Sequence, residues 1–161
     1  MKADLKTFSI KKIQYPVMIF RYDEIESLKP VPLIQLFRTS VTIVSNNTIE
    51  LLFGIQVLPE HEKADELDIS QSKLLAMVEL VATFEVVGNM GKPEAPQDIP
   101  FLPNMFASIY PFVRERVHAG FSVNHYDLFV PSINFYDFIK DLLNKIFIVD
   151  LSPTEPCSSS E

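Results

Sequence analysis

Tyr110-Pro111-Phe112-Val113-Arg114-Glu115-Arg116-Val117 lies within Phe101–Ile139, the stretch that decides the fold. Residues 104–118 suit a helix. Met105, Ile109, Phe112, Val113 and Val117 recur at helical spacing, and Arg114, Glu115 and Arg116 fall toward the exposed side. Pro111 removes a backbone donor inside that helix and is expected to kink or reset it. Further on, residues 133–147 form the cleanest amphipathic pattern. Phe135, Phe138, Ile139, Leu142, Leu143 and Ile146 keep the i, i+3, i+4, i+7 rule, while Asn134, Asp137, Lys140 and Lys145 face away. Ser132 is the candidate N-cap. Residues 119–132 stay ambiguous, with His125, Tyr126 and Asp127 in a loop.

Upstream, the period changes from helical to alternating. Residues 6–21 read as a strand with Phe8 and Ile10 on one face. After Lys11-Lys12 the phase shifts to Ile13, Tyr15, Val17 and Ile19, as a β-bulge produces. Pro16 argues for a sheet edge. Residues 22–32 are too long for a hairpin and are expected to cross over the sheet. Residues 33–45 and 48–59 alternate around Asn46-Asn47, which suits a two-residue turn because Asn tolerates positive φ. Residues 60–68 are an acidic, loop-like run, read as a solvated loop. Residues 72–87 alternate as a fourth strand, with a helix the alternative over 72–82. Gly88, Gly91, Pro93, Pro96 and Pro100 mark a loop.

Strands followed by helices indicate an α+β domain: a four-stranded antiparallel sheet with a crossover connection, then two helices packed on one face. The sheet face that two helices leave uncovered also carries apolar residues, read as Met18, Phe20, Leu75, Met77, Val81 and Val87. Such a surplus points to self-association or a partner surface.

Composition narrows the function classes. The chain has 161 residues, 47% of them hydrophobic, and a net charge of −7. A single domain over 1–151 and a flexible Pro- and Ser-rich tail over 152–161 are expected. The acidity speaks against binding nucleic acid, which needs clustered Lys and Arg. Cys157 stands alone, so a disulfide framework is excluded and a cytoplasmic setting is expected. The first residues lack an apolar signal core, and no apolar run is long enough for a transmembrane helix, so membrane insertion is not expected. His61, His118 and His125 lie in separate segments without metal-ligand spacing. Ser122, His118 and Asp127 are the letters of a triad, but no nucleophile elbow surrounds them. No enzyme activity, metal or cofactor is expected.

The motifs gain meaning together. Pro103-Asn104 at the first helix, Tyr110-Pro111-Phe112-Val113-Arg114-Glu115, Ile133-Asn134-Phe135 opening the last helix, and Thr7-Phe8-Ser9-Ile10 with Ile13 resemble the SecB family of protein-export chaperones. The resemblance spans residues 6–147 and is densest over 101–139. It implies a cytosolic homotetramer, a dimer of dimers, that holds unfolded polypeptides or preproteins in apolar grooves without ATP. The family's usual task is delivery to SecA; some relatives protect antitoxins. Where SecA-docking members carry acidic side chains, this chain has Val17, Arg21 and Met77, which counts against that partnership, and Leu75 alone keeps the expected character. The alternative function is that of a dedicated adaptor for one partner.

A groove for unfolded chain needs apolar and aromatic lining. The candidates are Met18, Phe20, Ile25, Leu28, Met105, Phe106, Phe135, Phe138, Ile139 and Leu142. The plainer reading of each is core, least so for Ile25 and Leu28 in the crossover. Leu75, Met77, Glu79, Arg114 and Glu115 are candidates for an oligomer or partner face; for the charged helix pair the plainer reading is a solvated surface.

Overall fold

The computed structural model describes residues 8–27, 32–59, 74–99, 101–142 and 147–151, with the backbone alone for Ile139, Asp141, Leu142, Phe147, Ile148 and Asp150. The 60–68 loop, Leu28, Cys157 and the 152–161 tail lie outside the described residues. The elements follow in the order β1 (Phe8–Phe20), α1 (Tyr22–Glu26), β2 (Leu33–Ser45), β3 (Thr48–Pro59), β4 (Ala76–Val86), a 3-10 turn (Pro96–Asp98), α2 (Leu102–Ser122), α3 (Phe135–Leu142) and β5 (Phe147–Asp150).

The architecture is α+β. Strands β1 to β4 form an antiparallel sheet, and β5 adds a fifth, parallel strand beside β2, giving the order β1-β4-β3-β2-β5. The crossover is real: β4 and β3 separate β1 from β2. The β2–β3 hairpin turns at Asn46-Asn47, with Ser45 opposite Thr48.

Strand β1 is an edge, as Pro16 requires. It carries two register shifts, at Ile10/Lys12 and at Gln14/Val17. Only the first was expected from the alternation. The second, around Pro16, re-phases the end of the strand. Ile13 and Tyr15 therefore pack on the main core, while Val17 and Ile19 pack on the opposite face. Met18 and Phe20, expected on the uncovered face, pair with Val78 and Ala76 and so turn to the helix side.

That side holds the main core. Ile49, Leu51, Phe53, Ile55 and Val57 of β3 meet the even-numbered residues of β4, from Ala76 to Val86. Helix α2 covers them with Leu102, Met105, Phe106, Ile109, Tyr110, Val113, Val117, Gly120 and Phe121, a single helical stripe. The helix runs unbroken through Pro111. Pro111 and Ala107, whose carbonyl loses its partner, both lie on the exposed side, where water can replace the bond. Phe112, expected in the stripe, is exposed instead, because it sits one residue off the buried positions.

Helix α3 is shorter than the 133–147 pattern suggests: it spans Phe135–Leu142, and Phe147 already belongs to β5. Its cap is Asn134, not Ser132. Asn134 Oδ1 accepts from the Tyr136 N–H at 3.1 Å, and its Nδ2 donates to Asp137 at 2.8 Å. Ser132 is engaged by Arg114 instead, at 3.4 Å.

A smaller cluster lies on the face without helices. Leu58, Leu74 and Met77 are buried there, with Val17, Ile19 and Leu36 against them.

Candidate functional site

The candidate groove residues do not all lie on one surface. Met105, Phe106 and Phe135 are buried in an aromatic cluster between the sheet and the helices. Phe53 is its hub, in ring contact with Phe37, Phe106, Tyr110, Phe135 and Phe138 at 5.5–6.3 Å. Phe106 and Phe135 stack nearly parallel. Phe138 is half-buried and sets its ring edge-on to Phe37. Ile25 of α1 is buried in the same core, at 2% exposure. Amphipathic spacing brought these residues to one place because the stripe that builds α2 also builds the core beneath it.

Tyr110 closes one side of the cluster. Its hydroxyl donates to the Pro131 carbonyl, which pins the segment leading into α3. Burial raises the Tyr110 phenol above its ordinary value of 10.0, and the Arg114 guanidinium pulls it partly back.

Met18 and Phe20 sit elsewhere, where β1 meets the crossover. Met18 is 46% exposed. Phe20 stacks on Tyr22 at 5.8 Å and meets Phe121 edge-on. Tyr22, itself exposed, is tied to the end of α2 through its carbonyl, which accepts from Asn124 Nδ2 at 2.8 Å. Together Met18, Phe20 and Tyr22 make one apolar surface patch.

A second patch lies on the outer side of α2. Residues 126–134 follow α2 without helix or strand, and a cleft of about 370 Å³ opens between them and the helix. Pro111, Leu128, Phe129 and Val130 supply its apolar lining; Arg114, Glu115, His118 and Asp127 supply charge and polarity. Leu128 and Val130 point into the protein, while Phe129 between them is 75% exposed. Exposed Phe112 and Tyr136 also mark the helical side of the molecule. The sequence held the signal for Phe129: an apolar triplet in extended chain buries alternate residues and presents the middle one. The ambiguous period of 119–132 hid it.

Of the partner-face candidates, Leu75 is buried in the main core and Met77 in the smaller cluster. Glu79 turns to the helix-free face, where its side chain is 7% exposed and Arg38 Nη1 reaches its Oε1 at 3.0 Å. Gly54 makes room for it. A Cβ there would meet the Glu79 Cγ at 3.0 Å. Glu115 is exposed and Arg114 half-buried, both on the rim of the cleft.

The triad letters do not assemble. Ser122 Oγ donates to the His118 carbonyl at 2.8 Å, and His118 Nδ1 lies 3.4 Å from the Leu128 carbonyl. Among the described residues no group of His, Cys, Asp and Glu is placed to hold a metal ion, and no helix is long and apolar enough to cross a membrane.

No family model matches the sequence, and no curated protein does. Among solved structures, the chain is similar to a SecB-like chaperone from Mycobacterium tuberculosis, solved in complex with a ChAD peptide from an antitoxin. The identity is 11% and the TM-score 0.49, over 78% of this chain and 91% of that chain.

Proposed function

We propose that this protein is a SecB-like holdase that binds unfolded polypeptide without ATP. The observation that carries the reading is the exposed aromatic and apolar surface gathered in two patches, Phe129 with its cleft and Met18-Phe20-Tyr22. An unfolded client offers main chain and apolar side chains, and such patches capture both with little demand on sequence. Burial of client surface supplies roughly 25 cal/mol per Å² before ordering costs, so several weak patches are needed. A homotetramer, a dimer of dimers, multiplies them and gives avidity. The cytoplasm is the compartment in which this activity is proposed.

The test is suppression of aggregation of an unrelated, chemically unfolded protein at stoichiometric tetramer. Undiminished light scattering sinks the proposal. Static light scattering on the protein alone checks the assembly; a mass near the 18.4 kDa of one chain contradicts the tetramer. A dedicated adaptor for one partner, such as an antitoxin, would use the same patches, and a pull-down returning one dominant partner selects it over the general holdase.

A further inference from the structure

The geometry points to the outer edge of β2, from Leu33 to Phe37, as a strand-addition site for an extended apolar segment of a bound polypeptide. This inference rests on the holdase reading and specifies how the client's main chain is held.

Strand β2 runs from Leu33 to Ser45, and among the described residues β5 pairs with Ser40–Ile43. The Leu151 N–H donates to the Ile43 carbonyl at 2.8 Å, so Ile43 turns its main-chain groups outward. Alternation then turns those of Leu33, Gln35 and Phe37 outward as well. The neighbouring strand agrees: Val57, opposite Gln35, gives its carbonyl to Leu75, away from β2. Among the described residues no strand pairs with Leu33–Phe37 on that side.

The two edges of the sheet are built differently. Strand β1 is blunted by two register shifts, by Lys11 and Lys12, and by Pro16. These are the devices that keep an edge from pairing. Leu33-Ile34-Gln35-Leu36-Phe37 has no charge, no proline and no register shift. It is a flat apolar edge of the kind that accepts another strand.

Gln35 adds a second observation. Its Nε2 donates to the Phe129 carbonyl at 2.8 Å, so this end of β2 already holds a main-chain carbonyl of another segment. Its Oε1 is buried and receives no donor among the described groups. A buried acceptor without a donor is destabilising. An extended chain supplies N–H donors at every second residue to the outward main-chain carbonyls of Leu33, Gln35 and Phe37, and its alternate side chains would find half-buried Ile34 and Leu36 on one face and Leu33 and Phe37 on the other. A folded, charged partner offers neither.

Hydrogen exchange on the full chain tests this, with reduced and carboxymethylated α-lactalbumin as the unfolded probe and its binding followed by fluorescence anisotropy. The amides of Gln35 and Phe37 are expected to slow about tenfold or more on binding, while that of Leu36, directed to β3, stays unchanged. Bound probe with no slowing at Gln35 and Phe37 overturns the inference and leaves the holdase reading standing. Absence of binding overturns both. Slowing that appears with protein concentration and without probe assigns the edge to a second copy and also overturns it. A peptide of the probe with alternate N-methyl groups keeps its side chains but loses edge donors; binding equal to that of its parent is a further contradiction.

Discussion

Gly120→Ala sets two well-known effects against each other, and the structure decides between them. Gly120 lies in the last turns of α2, on the buried stripe. In an unobstructed helix the substitution stabilises by about 1 kcal/mol, because Ala is the better helix former. Here a Cβ would fall 2.0 Å from Phe20 Cε1, 2.3 Å from Cζ and 2.5 Å from Cδ1. Carbon atoms sit comfortably at about 3.5 Å or more, so the ring must retreat by about 1.5 Å. Phe20 cannot do so freely, since it stacks on Tyr22 and meets Phe121 edge-on. Overpacking costs about 1–3 kcal/mol, and each lost aromatic pair about 0.5–1.5 kcal/mol. After the helix-propensity gain is subtracted, a net loss of roughly 1–2 kcal/mol is expected.

For a chain of this length that loss lowers Tm by about 2–8 °C. Differential scanning calorimetry, with urea unfolding as a check, measures it. Phe20→Leu, made alone and together with Gly120→Ala, completes a double-mutant cycle. The coupling should exceed about 0.5 kcal/mol and favour the double variant. A Gly120→Ala protein that melts higher than the parent, or a cycle that is additive, refutes the close approach of α2 to the end of β1.

Three further outcomes are expected. Tyr110→Phe removes the hydrogen bond to the Pro131 carbonyl and should cost about 1 kcal/mol in urea unfolding. In the parent, the Tyr110 contribution should be full below pH 10.0 and lost as pH rises through the higher pKa that burial imposes; the variant should lack that alkaline limb, as parallel unfolding curves against pH will show. Arg38→Ala leaves the Glu79 carboxylate, only 7% exposed, without the guanidinium at 3.0 Å. Arg38 itself is 54% exposed, so water screens the pair and the expected loss is about 1–2 kcal/mol rather than the larger value of a fully buried pair, and Glu79→Gln in the Arg38→Ala background should recover part of it. Asn134→Ala removes the α3 cap and should cost about 1 kcal/mol, with faster amide exchange confined to the start of α3; unchanged exchange there contradicts the cap.

The long strands were legible because each carries a sustained period of two, and the hairpin because Asn46-Asn47 punctuates it. Helix α2 was legible from its stripe, although Phe112 showed that apolar identity alone does not assign a face. The phase of β1 beyond Pro16 was not legible. Once a second irregularity enters, every later side chain changes face, and local sequence does not reveal how many residues the partner strand skips. Strand β5 was hidden for a different reason. Phe147-Ile148-Val149 continues the apolar run of the preceding helix, and only pairing with β2 fixes it as strand. The site was the least legible part. Exposed Phe112 stands at helical spacing from buried Met105 and Ile109, and exposed Phe129 lies in the stretch 119–132 whose period was ambiguous, so neither could be assigned a surface without the packing around it.

The helix-free face of the sheet does not behave as a simple solvated surface. Near the Asn46-Asn47 turn it carries Lys12, Thr83, Glu50 and Thr42 in cross-strand positions. Toward the crossover it carries Val17, Ile19, Met77, Leu36 and Leu58, with the Arg38–Glu79 pair and Gly54 at the boundary. Polarity therefore changes along the strands as well as across them. The half-charged boundary limits how far an apolar partner could spread, because covering Arg38 would strip water from a pair that depends on it. The apolar end is also where β1 ends in Phe20, next to Tyr22, and where β2 begins with an edge that no described strand pairs, within reach of the Phe129 carbonyl. Apolar features on both faces and on the edge thus converge on the end of the molecule opposite the hairpin turn. Under the holdase proposal, a client held there would meet apolar side chains together with main chain that no described strand pairs, a combination that makes little demand on sequence.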